Sequence, residues 1–203
     1  MTACPSCGAP LPTRNPGIVV TVCEYCGCAV TWDADAARDS GTTSRLPQGF
    51  TRLYTGAEGS LRGRRFKVLG RIRYSYGKGF WDEWALRLEE EGALHWLTED
   101  DHELSLESAR GRMSVGELSV GDRFTFNKQT FLIEEVGEAE CVGLEGQLPR
   151  DIVLGERYRY ADGSSPNGRY TVGVEYDEDE AAVYSGVWLS DKDLVLDDEG
   201  LDW

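Results

Sequence analysis

Two Cys-x-x-Cys-Gly segments, Cys4-Pro5-Ser6-Cys7-Gly8 and Cys23-Glu24-Tyr25-Cys26-Gly27, stand fifteen residues apart at the head of the chain. No other feature restricts the fold as tightly. Two thiolates two residues apart in a tight turn reach one ion at about 2.3 Å, and a second pair completes a tetrahedron. Gly8 and Gly27 fall where such a turn calls for a positive φ, which lets backbone amides face the sulfurs. Ile18-Val19-Val20-Thr21-Val22 reads as a strand between the pairs and Ala29-Val30-Thr31-Trp32 as its partner. Residues 1–33 are therefore expected to form a zinc ribbon, with Cys4, Cys7, Cys23 and Cys26 around one structural Zn2+ per chain. A segment of about thirty residues cannot bury a core, so the ion takes the place of one. Four Cys ligands leave no open coordination position for Lewis-acid chemistry. Structural disulfides are the competing reading of these thiols, and Cys28 reads as a spare one.

Charge sets which partners are open to the chain. Asp and Glu number 36 against 21 Lys and Arg, giving a formal net charge of -15 and a pI near 4.5. Such a field repels phosphate backbones and anionic lipid, so nucleic acid is not an expected partner. The ribbon itself carries Arg14 against Glu24, Asp33 and Asp35, which points it toward protein contacts. The opening Met1-Thr2-Ala3-Cys4 lacks the basic start and apolar run of a signal peptide. No apolar stretch approaches the ~20 residues of a spanning helix. Paired CxxC units suit a reducing compartment, and the cytoplasm is the expected location.

Past the ribbon, residues 34–48 lose hydrophobic pattern and read as a short helical turn and linker. Residues 49–203 then turn to β signals. Arg71 to Tyr76 alternates with Ile72, Tyr74 and Tyr76 on one face; Phe80 to Leu88 puts Trp84, Leu86 and Leu88 opposite Glu83, Ala85 and Arg87. Ala93 to Leu97 is the return strand. The theme restarts after Met113: Ser119 to Phe126 and Thr130 to Gly137 echo Gly59 to Gly70, and Arg169 to Leu189 echoes Trp81 to Leu97. Residues 145–165 read as an insert in the second copy. The expected fold is mainly β, two pseudo-repeated antiparallel meanders (about 52–110 and 113–203) forming a sandwich or partly open barrel. Arg62, Arg64, Arg65, Lys67, Arg71 and Arg73 read as the solvated face of two strands, with an acidic partner segment as the functional alternative.

Candidate surfaces are few. Asp82 and Glu83 are adjacent on a strand and point to opposite faces, so they cannot converge on one substrate atom. By the same rule one of Trp81 and Trp84 is core and the other offers an aromatic contact. His95 and His102 stand near Glu99, Asp100 and Asp101, a conceivable metal site that reads first as surface histidines. Asp177, Glu178 and Asp179 lie in an acidic turn that suits a cationic ligand, with Trp188 or Trp203 as a cation–π face. Cys141 reads as core. No nucleophile turn, P-loop or GxGxxG occurs.

Gly59-x6-Phe66-x-Val68-x-Gly70, Trp81-Asp82-Glu83-Trp84, His95-Trp96-Leu97 and Glu145-Gly146-Gln147-Leu148-Pro149, in that order, resemble the bacterial domain of unknown function 4178 family. The resemblance runs from Thr51 to about Leu196. It implies a cysteine module ahead of the domain and gene neighbours related to polyamine synthases and membrane stress, and it transfers no catalytic residue. The expected function is a non-enzymatic, zinc-stabilised binding or adaptor protein with a protein partner. The alternative is a binder of polyamine-like cations, or an enzyme accessory, acting through an acidic surface.

Overall fold

Alternation with period two, interrupted by glycine where strands bend or cross, runs through nearly the whole chain, and the structure is accordingly almost all antiparallel sheet. The computed structural model describes residues 2–34, 36–47, 51–89, 92, 94–177 and 180–197. The ribbon comprises β1 (Val20–Val22), β2 (Cys28–Asp33) and β3 (Ala36–Thr43), paired in that order. The segment read as a helical turn and linker is thus the third ribbon strand. Its side chains are polar because it lies at the edge, where most of them face solvent.

Two four-stranded meanders follow. The first is β5 (Arg64–Ser75), β6 (Phe80–Leu88), β7 (Leu94–Asp100) and β8 (Glu103–Met113); the second is β10 (Gln129–Leu148), β11 (Arg157–Ser164), β12 (Tyr170–Tyr176) and β13 (Ala181–Leu189). β8 pairs with β13 and β10 pairs with β5, so the eight strands close into a ring, β5-β6-β7-β8-β13-β12-β11-β10. Each meander opens with a short hairpin: β4 (Glu58–Leu61) on β5, and β9 (Arg123–Phe126) on β10. The echo between Gly59–Gly70 and Ser119–Gly137 is therefore structural. The second echo is one strand out of step. Residues 145–165 contain β11, the counterpart of β6, and the short run Leu194–Leu196 is β14, an edge strand on β4 rather than a partner of the ring.

Alternation divides the side chains between two surfaces. Phe66, Val68, Trp84, Leu86, Leu88 and Leu97 face out of the ring and are buried under Leu53, Ala57, Leu61, Leu194 and Leu196. On the second meander Phe131, Ile133, Val172, Val174 and Val183 face out beneath Val115, Leu118, Phe124 and Phe126. Two apolar cores thus lie on the outer faces, under these straps, and a third occupies part of the ring interior.

The ribbon is built onto the barrel rather than tethered to it. Val20 and Thr21 pair with Leu148 and Gln147 at the end of β10. The Asn15 amide and side chain both donate to Gln147 Oε1, and Arg87 donates to Asn15 Oδ1 at 2.7 Å. Ile18, Val20 and Val22 share one buried cluster with Leu69, Ile72, Trp96, Leu144 and Leu148. These side chains plug one end of the barrel.

The closure of β10 on β5 depends on a glycine pair, Gly146 opposite Gly70. A Cβ on Gly70 would stand 2.5 Å from Glu145 O and 2.7 Å from Gln147 O, backbone atoms that cannot yield without separating the strands. Gly70→Val is expected to cost roughly 2–3 kcal/mol, the scale of overpacking against a fixed backbone. Gly116→Val, where a Cβ meets nothing within 4 Å, should be near neutral. Urea unfolding of the two variants compares them directly; equal midpoints would deny the closure its role.

Candidate functional site

The ring interior holds a cavity of about 250 Å³ whose wall is acidic and aromatic. It follows from the same alternation that buries the outer cores. Trp81 and Glu83 on β6, Thr98 on β7, Ser105 and Glu107 on β8, Asp162 on β11, and Thr171, Gly173 and Glu175 on β12 all project inward. No lysine or arginine lines the cavity among the described residues. Tyr76, Asp100, Glu103 and Trp188 stand toward one mouth, Asp162 and Gly173 face each other across the β11–β12 pair beside Glu107, and Glu83, Glu175 and Tyr184 gather around Arg150, which follows the ribbon-paired end of β10.

One cation reaches this wall from behind. Arg150, just past β10, donates from Nη1 and Nη2 to the two carboxylate oxygens of Glu175 at 3.2 and 3.0 Å, and Glu83 lies 4.0 Å from Nη1. Trp81 Nε1 donates to Glu83 Oε1 at 3.3 Å. Burial, and then repulsion from Glu175 only partly offset by Arg150, raise the Glu83 carboxyl to about 8. Burial also raises Glu107, against hydrogen bonds from Thr171 and Ser105. Asp162 stands well above the usual carboxylate range, first from burial and then from the Glu107 charge. The Asp162 side chain is nonetheless exposed to solvent within the cavity, which screens the effect. The Tyr74 hydroxyl, fully buried, finds no hydrogen-bond partner among the described residues.

Asp82 and Glu83 do point to opposite faces. Asp82 lies in the outer core, where Arg73 Nε and Nη2 clamp it at 2.8 and 2.7 Å and Arg71 approaches at 3.6 Å. Arg71 also pairs with Glu145 at 2.9 Å and stacks over Trp84. The expectation of a solvated basic face therefore fails at Arg71 and Arg73, which are 3% and 7% exposed. It holds at Arg62, Arg65 and Lys67, which pair on the surface with Asp193, Asp197 and Glu58. Glu83, expected at a strand surface, lines the cavity instead. Trp81 and Trp84 are both buried, Trp81 against Tyr74, Tyr76 and Tyr160, so neither offers an outer contact face.

His95 sits on β7 with Ser108 Oγ 3.0 Å from Nδ1. Asp177 pairs with Arg112 at 2.7 Å on the exposed outer surface, away from the cavity. Glu178, Asp179 and Trp203 lie outside the described residues. Sequence reasoning passed over Glu107, Asp162 and Glu175, charges at inward strand positions, and Arg150, which lies past the end of β10.

The second candidate site is the ribbon's cysteine cluster. The sulfurs of Cys4, Cys7, Cys23 and Cys26 all lie within 4.8 Å of one another, with Cys4–Cys26 and Cys7–Cys23 at 3.8 Å. A regular tetrahedron of thiolates about 2.3 Å from a central ion has edges of about 3.8 Å. The distances fit an ion and are far too long for disulfides. Gly8 and Gly27 both take φ 77, and their amides donate to Cys4 O and Cys23 O, which makes the two knuckles near copies. Cys28 is not a fifth ligand. Burial and its hydrogen bond to Asp39 push its thiol up to about 12. Among the described residues, His95 and His102 with Glu99 to Asp101 form no such cluster.

A family model described as a domain of unknown function, DUF4178, matches residues 55–191. No curated protein and no solved structure matches the chain. No helix among the described residues is long and apolar enough to cross a membrane.

The Glu83 environment has a measurable sign. Unfolded, this carboxyl ionises near 4.5; folded, it keeps its proton to about 8. Its contribution to stability is therefore present below the unfolded value and is lost as pH rises toward the folded one. Glu83→Gln, which keeps an acceptor for Trp81, is expected to raise the urea midpoint at about pH 9 and to leave it nearly unchanged at about pH 4. A variant no more stable than the parent at the higher pH would mean that Glu83 is not strained.

Proposed function

The chain belongs to the DUF4178 family, and we propose that it is a binding protein, not an enzyme, whose barrel takes up an organic ammonium ion and whose ribbon is stapled by zinc. The observation that supports the first part is the cavity. Several inward carboxylates meet aromatic rings in a wall without a lysine or arginine of its own. Carboxylates supply charge-assisted hydrogen bonds to an N–H cation, and Trp and Tyr faces add cation–π attraction while excluding water. Polyamine-like cations fall within this class. The acidic hairpin at Asp177 is the weaker candidate, because Asp177 already pairs with Arg112 in open solvent.

Trp81, Trp96 and Trp188 line the cavity, so their fluorescence reports occupancy. Hexylamine is expected to give a saturable change at low salt, and hexanol, the same size without the charge, none. An equal response to both, or flat titrations, would sink the amine reading.

The cysteine cluster fits zinc through its tetrathiolate donor set and closed geometry, and the ion's role is structural. The six cysteines, none of them in a disulfide, favour a reducing location such as the cytoplasm. An adaptor role is the second reading, favoured by Tyr25, 66% exposed on the tip of the second knuckle. Elemental analysis is expected to give about one zinc per chain. Cys26→Ser should lose it and lower the unfolding temperature of the barrel as well, since the ribbon shares the barrel's core. A partner captured by the full chain and released by both Cys26→Ser and Tyr25→Ala would establish docking through the ribbon. A metal-free parent protein would overturn the zinc assignment.

A further inference from the structure

Among the acids that line the cavity, Glu83 and Glu175 have a cation, and Glu107 and Asp162 have none. At the plugged end Glu83 and Glu175 share Arg150, whose Nη1 also lies 3.5 Å from the Tyr184 hydroxyl. This guanidinium shows what the lumen does with a positive charge: two carboxylate oxygens take its N–H groups, with a tyrosine alongside.

Beside Gly173 the same chemistry stands without its cation. Glu107 Oε1 accepts from Thr171 Oγ1 at 2.8 Å and from Ser105 Oγ at 3.1 Å. Its other oxygen, Oε2, faces Gly173. The Asp162 side chain makes no hydrogen bond or ion pair with any described residue, and it is exposed to solvent where it lines the cavity. A carboxylate that lines the cavity and has no partner in the fold is open to a charge-assisted bond from a ligand.

Gly173 lies between the two acids. A Cβ there would stand 3.2 Å from Asp162 Oδ1 and 3.8 Å from Glu107 Oε2. Gly173 is not among the glycines with positive φ, so its backbone does not demand glycine. What the missing side chain provides is space, at a point within reach of both carboxylates. The two carboxylates thus flank the open space above the Gly173 Cα, and small rotations of both would bring their oxygens to about 2.7–2.9 Å, the length of an N–H to carboxylate bond, from a nitrogen seated over that backbone. Trp81 and Tyr160, 5.3 Å apart between ring centroids, line the same cavity for the ligand's apolar part.

We propose that Asp162 and Glu107, over the floor left by Gly173, form the subsite for one alkylammonium head, and that Arg150 stands in the deeper Glu83–Glu175 subsite in place of a second one. This rests on the amine reading above and makes it specific: the intact protein takes one ammonium at depth, and a second subsite becomes available only when Arg150 is removed.

The test is calorimetric titration of the full zinc-loaded chain with hexylamine and with a homologous series of α,ω-alkanediamines, each variant checked by circular dichroism and melting temperature. Asp162→Asn is expected to weaken hexylamine binding by about tenfold or more, the scale of one charge-assisted hydrogen bond. Gly173→Val, which fills the space but keeps both acids, should do the same. Arg150→Met should leave hexylamine binding largely intact and shift preference toward a diamine by about tenfold. If hexylamine binds the parent and both Asp162→Asn and Gly173→Val equally well, the subsite is overturned while the amine reading stands. If Arg150→Met leaves the diamine-to-monoamine ratio unchanged, Arg150 is no stand-in. If the parent binds no amine, both the reading and the inference fall.

Discussion

The pairing of β10 with β5 is the contact on which the rest of the molecule depends. Without it the two meanders form an open curled sheet with two bare edges, and the inward side chains face bulk water. With it, eight strands close and the edges vanish. β10 makes this closure because it is long enough to serve several partners in turn: β9 and β11 along its first half, β5 along Glu140 to Gly146, and β1 of the ribbon at Gln147 and Leu148. Register shifts between Cys141 and Gly143 on β10, and between Val68 and Gly70 where β5 meets β6, bend the strands where the ring must turn. Gly70 and Gly146 then let the backbones approach at the point where side chains would hold them apart.

Closure also explains the distribution of polarity. A small barrel commonly fills its interior with apolar side chains. Here the apolar sides of both meanders face outward and find their cover in the straps that precede each meander, 51–61 for the first and 113–126 for the second. Burial is thus divided between the outer faces and the ribbon-plugged end of the ring, which leaves the rest of the interior to carry groups that no folding core would tolerate. The contrast between Asp82 and its neighbour Glu83 shows the division. Asp82 is buried in the outer core and is met there by two guanidiniums, the satisfied form of a buried charge. Glu83, one residue away on the inner face, shares one arginine with Glu175, and its carboxyl is raised accordingly.

Much of this was legible in the sequence. The cysteine spacing located the metal cluster because ligand geometry leaves little freedom, and period-two alternation gave the strands and the opposite orientation of Asp82 and Glu83. The repeat was visible where glycine and phenylalanine mark the opening hairpins. It was lost at β11, Arg157–Ser164, whose inward Tyr158, Tyr160 and Asp162 and outward Ala161 and Gly163 reverse the pattern expected of a half-buried strand. Polar inside and small outside is how a strand reads when its inner face lines a wet cavity, so this strand resembled an insert. The β3 strand was missed for a simpler reason: an exposed ribbon edge needs hydrogen bonds but no apolar face. Arg71 and Arg73 misled because alternation assigns a face and does not say whether a strap covers it.

The two candidate sites are connected through one short stretch of chain. The cysteine cluster fixes the knuckles, the second knuckle leads into β2, and β2 holds β1 against Gln147 and Leu148. Arg150 follows two residues later and reaches the far end of the lumen. Its guanidinium can bridge Glu83 and Glu175 only if the end of β10 keeps its register, because a slip of one residue would turn every side chain there to the opposite face. The ribbon supplies that constraint twice, through the β1 pairing and through Gln147, whose side chain accepts from Asn15 and donates to Thr13 O at 2.9 Å. The ribbon thereby sets the position of the arginine shared by Glu83 and Glu175. The ribbon is then part of the barrel's architecture rather than an appendage to it, even though none of its described residues lines the cavity.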